Sequence, residues 1–191
     1  MIGVDPELLR FPLCIEAVDV PCMIVGSVAS MAFGEPRSTL DIDLVIAARP
    51  EDAERLISAF DPGRYYLPPV EVIRRELMRS EGTFNIIDGE TSLKADIYGM
   101  GNDALNRYGF AHRIAISIDN LGDVYVAPPT CVIVGKLRYF SMSRQDKHLR
   151  DIRGMLALDT TGMDLPMIDQ WAERIGVMEA WRSCRERAGE E

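Results

Sequence analysis

The sequence predicts an α/β (α+β) protein, a mixed sheet of about four to six strands flanked by helices and followed by a helical C-terminal segment. Three observations carry this reading. Leu40 to Ala47 alternates aspartate with isoleucine and leucine, the period of two that marks a strand. Two pairs of short β-prone runs are each split by turn residues, as in hairpins. Beyond Pro128-Pro129 every segment reads as helix. That break divides the chain into an α/β core, residues 1–127, and a helical segment, residues 128–191, too short to stand alone and expected to pack on the core.

Asp5-Pro6-Glu7 is a helix start, with Asp as the cap and Pro in the first turn, and a helix runs on to about Val18. Met23 to Gly26 reads as a short buried strand and Val28 to Phe33 as a short helix. Gly34 to Ser38 is a loop by its Gly and Pro. After the Leu40–Ala47 strand, Pro50 to Phe60 and Pro69 to Arg79 read as helices. Phe84–Asp88 and Ser92–Tyr98 flank Gly89-Glu90-Thr91 as a hairpin. Asp103 to Tyr108 suggests a helix, and Arg113–Ile118 with Val124–Val126 a second hairpin. Four helices follow, near Cys131–Ser141, Lys147–Leu158, Leu165–Arg174 and Val177–Arg187.

The 191 residues are 47% hydrophobic, enough for one substantial core. A net charge of -9 argues against broad electrostatic binding of nucleic acid, while a local basic patch stays open. Cys14, Cys22, Cys131 and Cys184 are scattered without a C-x-x-C pair, which disfavours a zinc ribbon or dithiol redox site. No leader precedes the first helix, and no apolar run nears the ~20 residues that span a bilayer. The expectation is a reduced, soluble, cytoplasmic protein without a membrane partner.

The chemistry gathers in "IVGSVASMAFGEPRSTLDIDLVI", Ile24 to Ile46. On a strand, Asp41 and Asp43 face one side while Ile42 and Leu44 face the core. Two carboxylates ~7 Å apart repel unless a cation sits between them, and hard oxygen ligands suit Mg²⁺. Asp96, in "LKADIYG", lies in another predicted strand. If the two strands are neighbours, three carboxylates converge and two metal ions have a place. Gly26 lets the backbone approach a ligand closely, and Ser27 opens a helix whose free N–H groups favour anions. A strand, a phosphate-gripping turn, a helix, a loop and a metal-gripping strand suit transfer from a nucleoside triphosphate. No G-x-x-x-x-G-K-[ST] loop occurs.

"VGS", thirteen residues, then "DIDL" resembles the signature of the DNA polymerase beta-like nucleotidyltransferase superfamily. "GSVASMAFGEPRSTLDIDLVI", "FNIIDGETSLKADIYG" and "KLRYFSMSRQDKHLRDIRGML" look, in that order, like three blocks of small bacterial nucleotidyltransferase-like proteins related to the AbiEii-type abortive-infection toxins. The resemblance covers roughly residues 15 to 158. It implies a nucleotidyltransferase-like sheet and an enzyme that uses Mg²⁺ or Mn²⁺ with a nucleoside triphosphate as substrate. Gly26 and Ser27 would grip the triphosphate, with Arg37, Thr39 and Lys94 as further nucleotide contacts. Asp41, Asp43 and Asp96 would be the metal and catalytic acids, Asp96 also the candidate base. Lys136 and Asp151 match the toxin-like helical motif, a Lys that reaches the nucleotide and an Asp beside it. Thr130 departs from the pattern, standing where relatives often carry an acid. The toxin likeness also implies an antitoxin partner.

Each of these residues has a plainer reading. Asp41 and Asp43 suit an edge strand in water, Ser27 a simple helix cap, and Lys136 the surface of an amphipathic helix. Asp151 suits a pair with Arg150 or Arg153. His112 and His148 read as surface or packed residues rather than catalysts. "SRQDKHLRDIR" reads as a solvated face whose basic members could touch a nucleotide or RNA. Two functions follow. One is transfer of a nucleoside monophosphate to a hydroxyl on a tRNA, a protein or a small molecule. The other is a non-catalytic nucleotide- or partner-binding module on the same fold. The intact triad favours the first.

Overall fold

The computed structural model describes residues 4–188. In chain order it contains α1 (Pro6–Glu16), β1 (Cys22–Val25), α2 (Gly26–Phe33), β2 (Asp41–Ile46), α3 (Ala53–Ser58), β3 (Tyr65–Tyr66), α4 (Val70–Met78), β4 (Thr83–Asp88), β5 (Lys94–Gly99), α5 (Ala104–Ala111), β6 (Ile114–Ile118), β7 (Gly122–Val126), α6 (Pro129–Ser143), α7 (Asp146–Leu158), α8 (Leu165–Arg174) and α9 (Met178–Ala188). Asp5 caps α1 by accepting the Glu7 N–H at 3.0 Å, with Pro6 in the first turn. Asp103 and Asp164 cap α5 and α8 in the same way.

The strands form one mixed sheet in the order β3-β4-β5-β2-β1-β7-β6. The first departure from expectation is its size, seven strands among the described residues where four to six were expected. The added strand, β3, has two residues and pairs antiparallel with β4 through Tyr65–Asp88 and Tyr66–Ile87. The second departure is Pro50 to Phe60, where a 3₁₀ turn at Pro50–Asp52 precedes the shorter helix α3. β2 lies between antiparallel β1 and parallel β5. Ile42, Leu44 and Ile46 of β2 are fully buried, while Asp41 and Asp43 remain partly accessible. β4 alternates strictly, with Phe84, Ile86 and Asp88 buried and Thr83, Asn85 and Ile87 exposed, as a half-solvated strand should.

α2 packs on β1 and β2, and α6 and α7 pack in turn on α2. α9 docks on α7 and seats Trp181, whose Nε1 donates to Asp169 Oδ1 at 2.6 Å. The helix expected over Val177–Arg187 is α9, Met178–Ala188. Cys22, Cys131 and Cys184 are buried and Cys14 is half-buried. Among the described residues no helix is long and apolar enough to cross a membrane.

One ion pair fixes the sheet edge. Asp88 is 1% exposed and accepts from Arg64 Nε at 3.1 Å and Nη2 at 2.5 Å, and from the Glu90 N–H at 2.9 Å. The Arg64 guanidinium beside it holds the Asp88 carboxyl at about 2, against 3.8 for a free one. A carboxyl whose pKa falls on folding stabilises the fold above its unfolded pKa and loses that contribution as pH falls through the folded value. Urea unfolding should therefore show about 2 kcal/mol lost between pH ~4 and ~2. Asp88→Asn should be less stable at pH 7 and lack this part of the acid dependence. Equal acid slopes in the two proteins would remove Asp88 as its source.

Candidate active site

The register of β2 and β5 places the acids. Asp41 lies opposite Lys94, Asp43 opposite Asp96 and Val45 opposite Tyr98. Directly paired residues share a face, so Asp41, Asp43 and Asp96 stand on one side of the sheet on neighbouring strands. Each carboxylate already has a partner. Asp41 Oδ1 accepts from Thr39 Oγ1 at 2.7 Å, and Asp96 Oδ2 lies 3.0 Å from Lys94 Nζ. The Tyr98 hydroxyl reaches Asp43 Oδ1 at 3.5 Å, and the Ser27 backbone N–H nearby favours its charged form.

Asp43 is the strained member. Burial, then the charges of Asp41 and Asp96, push its carboxyl up to about 6, against the opposing pull of Lys136 and the Ser27 N–H. Gly26 makes the approach between α2 and β2 feasible. Its φ is +65°, and a Cβ there would lie 1.9 Å from Asp43 Oδ2. Glycine at this turn is thus required by both backbone and neighbour.

A polar cavity of about 420 Å³ opens beside these residues. Gly26, Ser27, Arg37, Asp41, Asp43, Lys136 and Asp151 all line it. Thr39, Lys94 and Asp96 do not reach its wall: Thr39 holds Asp41, and Lys94 holds Asp96. Lys136 is no surface lysine, since it is 5% exposed and its Nζ meets Asp151 Oδ2 at 2.5 Å. Burial lowers its pKa and the Asp151 carboxylate opposes that fall. Asp151 pairs with Lys136 and, at 3.5 Å, with Arg37 Nε rather than with Arg150 or Arg153. Thr130 is buried elsewhere and accepts the Asp164 N–H at 2.8 Å, so it ties α6 to the cap of α8.

Several wall residues carried no catalytic signal in the sequence. Tyr98, Tyr139, Gln145, Lys147 and His148 also line the cavity. His148 stacks on Tyr139 with centroids 5.7 Å apart, and its Nδ1 has no hydrogen-bond partner among the described residues. The only hint was the basic content of "SRQDKHLRDIR".

Carboxylate oxygens on the wall of a polar cavity suit a hard divalent cation. Asp41 and Asp43 fit that role, and a cation would offset both the burial and the neighbouring charges that raise Asp43. Asp96, the third of the expected metal acids, stands opposite Asp43 on the same face of the sheet and is paired with Lys94. Among the described residues no three His, Cys, Asp or Glu side chains stand together as a metal group.

No family model and no curated protein matches the chain. Solved structures do. An antigenic nucleotidyltransferase-like protein from Paracoccidioides brasiliensis superposes with a TM-score of 0.57 at 14% identity, over 96% of this chain and 94% of that one. The fold is that of the nucleotidyltransferases. ANT(2")-Ia in complex with adenylyl-2"-tobramycin gives a TM-score of 0.50 at 14% identity, over 95% of this chain and 97% of that one. At such identity the likeness is one of nucleotidyltransferase fold, over nearly the whole of each chain.

Proposed function

We propose that this protein is a divalent-metal-dependent nucleotidyltransferase that moves a nucleoside monophosphate from a triphosphate to a hydroxyl. The observation that carries the reading is the Gly26–Asp43 contact. The turn that opens α2 closes directly on the acid of β2 whose charge is least balanced. The nucleotidyltransferase fold supports it. The likeness to AbiEii-type toxins, and an antitoxin partner with it, rests on the three sequence blocks alone.

In this reading Asp41 and Asp43 hold the cation, which when bound neutralises charge on the phosphate oxygens. Arg37, Lys136 and Lys147 supply positive charge around the triphosphate, and Thr39 fixes the orientation of Asp41. The Ser27 N–H lowers the Asp43 carboxyl from nearby, so Ser27 contributes beside that acid as well as by facing the cavity. The acceptor oxygen forms a bond to the α-phosphorus. The bond from that phosphorus to the pyrophosphate oxygen breaks, and pyrophosphate leaves with the electron pair. The hydroxyl proton passes through one water to the Asp96 carboxylate, which does not itself line the cavity. Lys94 orients this carboxylate.

Calorimetry with each triphosphate, with and without Mg²⁺, tests the site. Binding should require the metal and weaken on the order of tenfold or more in Asp41→Asn and Asp43→Asn, about 1.4 kcal/mol or more each. Undiminished, metal-independent binding in the double variant would move the site elsewhere.

A further inference from the structure

A second cavity of about 320 Å³ adjoins the polar one and shares with it Gly26, Tyr98, Lys136, Tyr139 and Met142. The rest of its wall is of another chemistry. Met23, Val45, Leu105, Ala127, Cys131 and Val132 give it an apolar surface between the Asp43 face of the sheet and α6. Its cationic groups are both engaged: Arg138 Nη2 donates to Asp103 Oδ2 at 2.7 Å, and Lys136 pairs with Asp151. Asp103 Oδ1 accepts the Asn106 N–H at 2.9 Å. The boundary with the polar cavity holds the Tyr98 hydroxyl, which contacts that of Tyr139 and lies 3.5 Å from Asp43 Oδ1.

We infer that this apolar cavity seats the acceptor, and that the acceptor is a small, mostly apolar alcohol or phenol. The inference rests on the transferase reading and names its substrate class. A volume of 320 Å³ lies near the small end of the ~300–1,000 Å³ typical of small-molecule sites. A polynucleotide would need a run of Lys or Arg along its phosphates, and beyond Lys136, which this wall shares with the polar cavity, it carries only Arg138, held by Asp103. Ser80, Glu81 and Asn106 are the other polar side chains of the wall, and a nucleobase seated among Met23, Val45, Leu105, Cys131 and Val132 would press its ring-edge donors and acceptors on apolar surface. Each polar group left unpaired there costs about 1–3 kcal/mol. An apolar body avoids that cost, and its single hydroxyl has a place at Tyr98 and Tyr139, where the cavity meets Asp43. From there the oxygen joins the α-phosphorus as pyrophosphate departs, and its proton reaches Asp96, which lines neither cavity, through one water.

The test uses 2-naphthol as the probe, followed by its fluorescence on the full chain, alone and with each ribonucleoside triphosphate plus Mg²⁺. The wild type should bind naphthol, and no triphosphate should displace it. Gly135 lines the cavity from α6, and a Cβ there meets nothing within 4 Å. Gly135→Leu should therefore fill the space, weaken naphthol on the order of tenfold or more and leave triphosphate affinity unchanged. Val132→Phe is the second filling variant, and the displacement arm needs no variant at all. Competition between naphthol and a triphosphate, or loss of triphosphate affinity on filling, would give the cavity to the nucleobase and overturn the inference. So would naphthol binding that is absent from the wild type or indifferent to both variants. A wild type that binds naphthol but no triphosphate with Mg²⁺ would sink the transferase reading, and the acceptor role with it.

Discussion

Asp96→Asn is expected to retain most triphosphate binding and to lose nucleotidyl transfer by a factor on the order of 10² or more. Asp96 stands directly opposite Asp43 on the neighbouring parallel strand, yet does not line the polar cavity. Its removal leaves Asp41 and Asp43 in place to hold a cation and the phosphates. What disappears is the group proposed to take the acceptor's proton, since an amide of the same shape cannot do so at neutral pH. General-base help alone is typically worth ~10²–10⁴ in rate. Nucleotide affinity and label transfer from each triphosphate to acceptors in a lysate, measured on both proteins, check the outcome. Equal transfer would reject Asp96 as the base. A wild type that binds triphosphate and transfers to nothing would favour the non-catalytic binding module.

The second large effect is expected from Gly26→Ala. A residue other than Gly at φ +65° costs roughly 1–2 kcal/mol. The larger consequence is steric. The new Cβ would sit 1.9 Å from Asp43 Oδ2 and 2.9 Å from Asp43 Cβ, so the acid must move. A misplacement of about 1 Å at a reacting centre can cost ~10² in rate. Both triphosphate affinity and transfer should fall, with the rate down on the order of 10² or more. Gly154→Ala is the control, because its Cβ finds only ordinary contacts with Glu35 at 3.7 Å. Wild-type transfer in Gly26→Ala would show that the turn and the acid are not coupled.

The sheet's centre was legible because its signals are local. The Asp-x-Asp alternation of β2 and the Gly26 turn needed no knowledge of distant residues. β3 was not legible, since two tyrosines have no period and become a strand only through Asp88 and Ile87, over twenty residues away. Pro50 to Phe60 kept its helical pattern, but Asp52 takes the Arg49 N–H and tightens the first turn. In the site, the residue types with obvious chemistry were the ones noticed. Tyr98 and Tyr139 look like packing residues until β5 and α6 bring them together. The burial of Lys136 depends on Asp151, fifteen positions further on, and the commitment of Asp96 to Lys94 depends on rotamers that no spacing encodes.

The two sides of the polar cavity are anchored with unequal firmness. Its acids ride on β2, hydrogen-bonded to a strand on each side. Lys147 and His148 lie in the first turn of α7, whose cap position Gln145 makes no side-chain bond to the helix. The opening amides of a helix have no partner within it, and such ends fray at far lower free energy than a central ladder. In hydrogen exchange the amides of Ile42 to Val45 should therefore outlast those at the start of α7 by orders of magnitude. In the proposed reaction a bulky triphosphate would then enter, and pyrophosphate leave, by a sub-global opening of one helix end, while the acid platform stays folded beneath it.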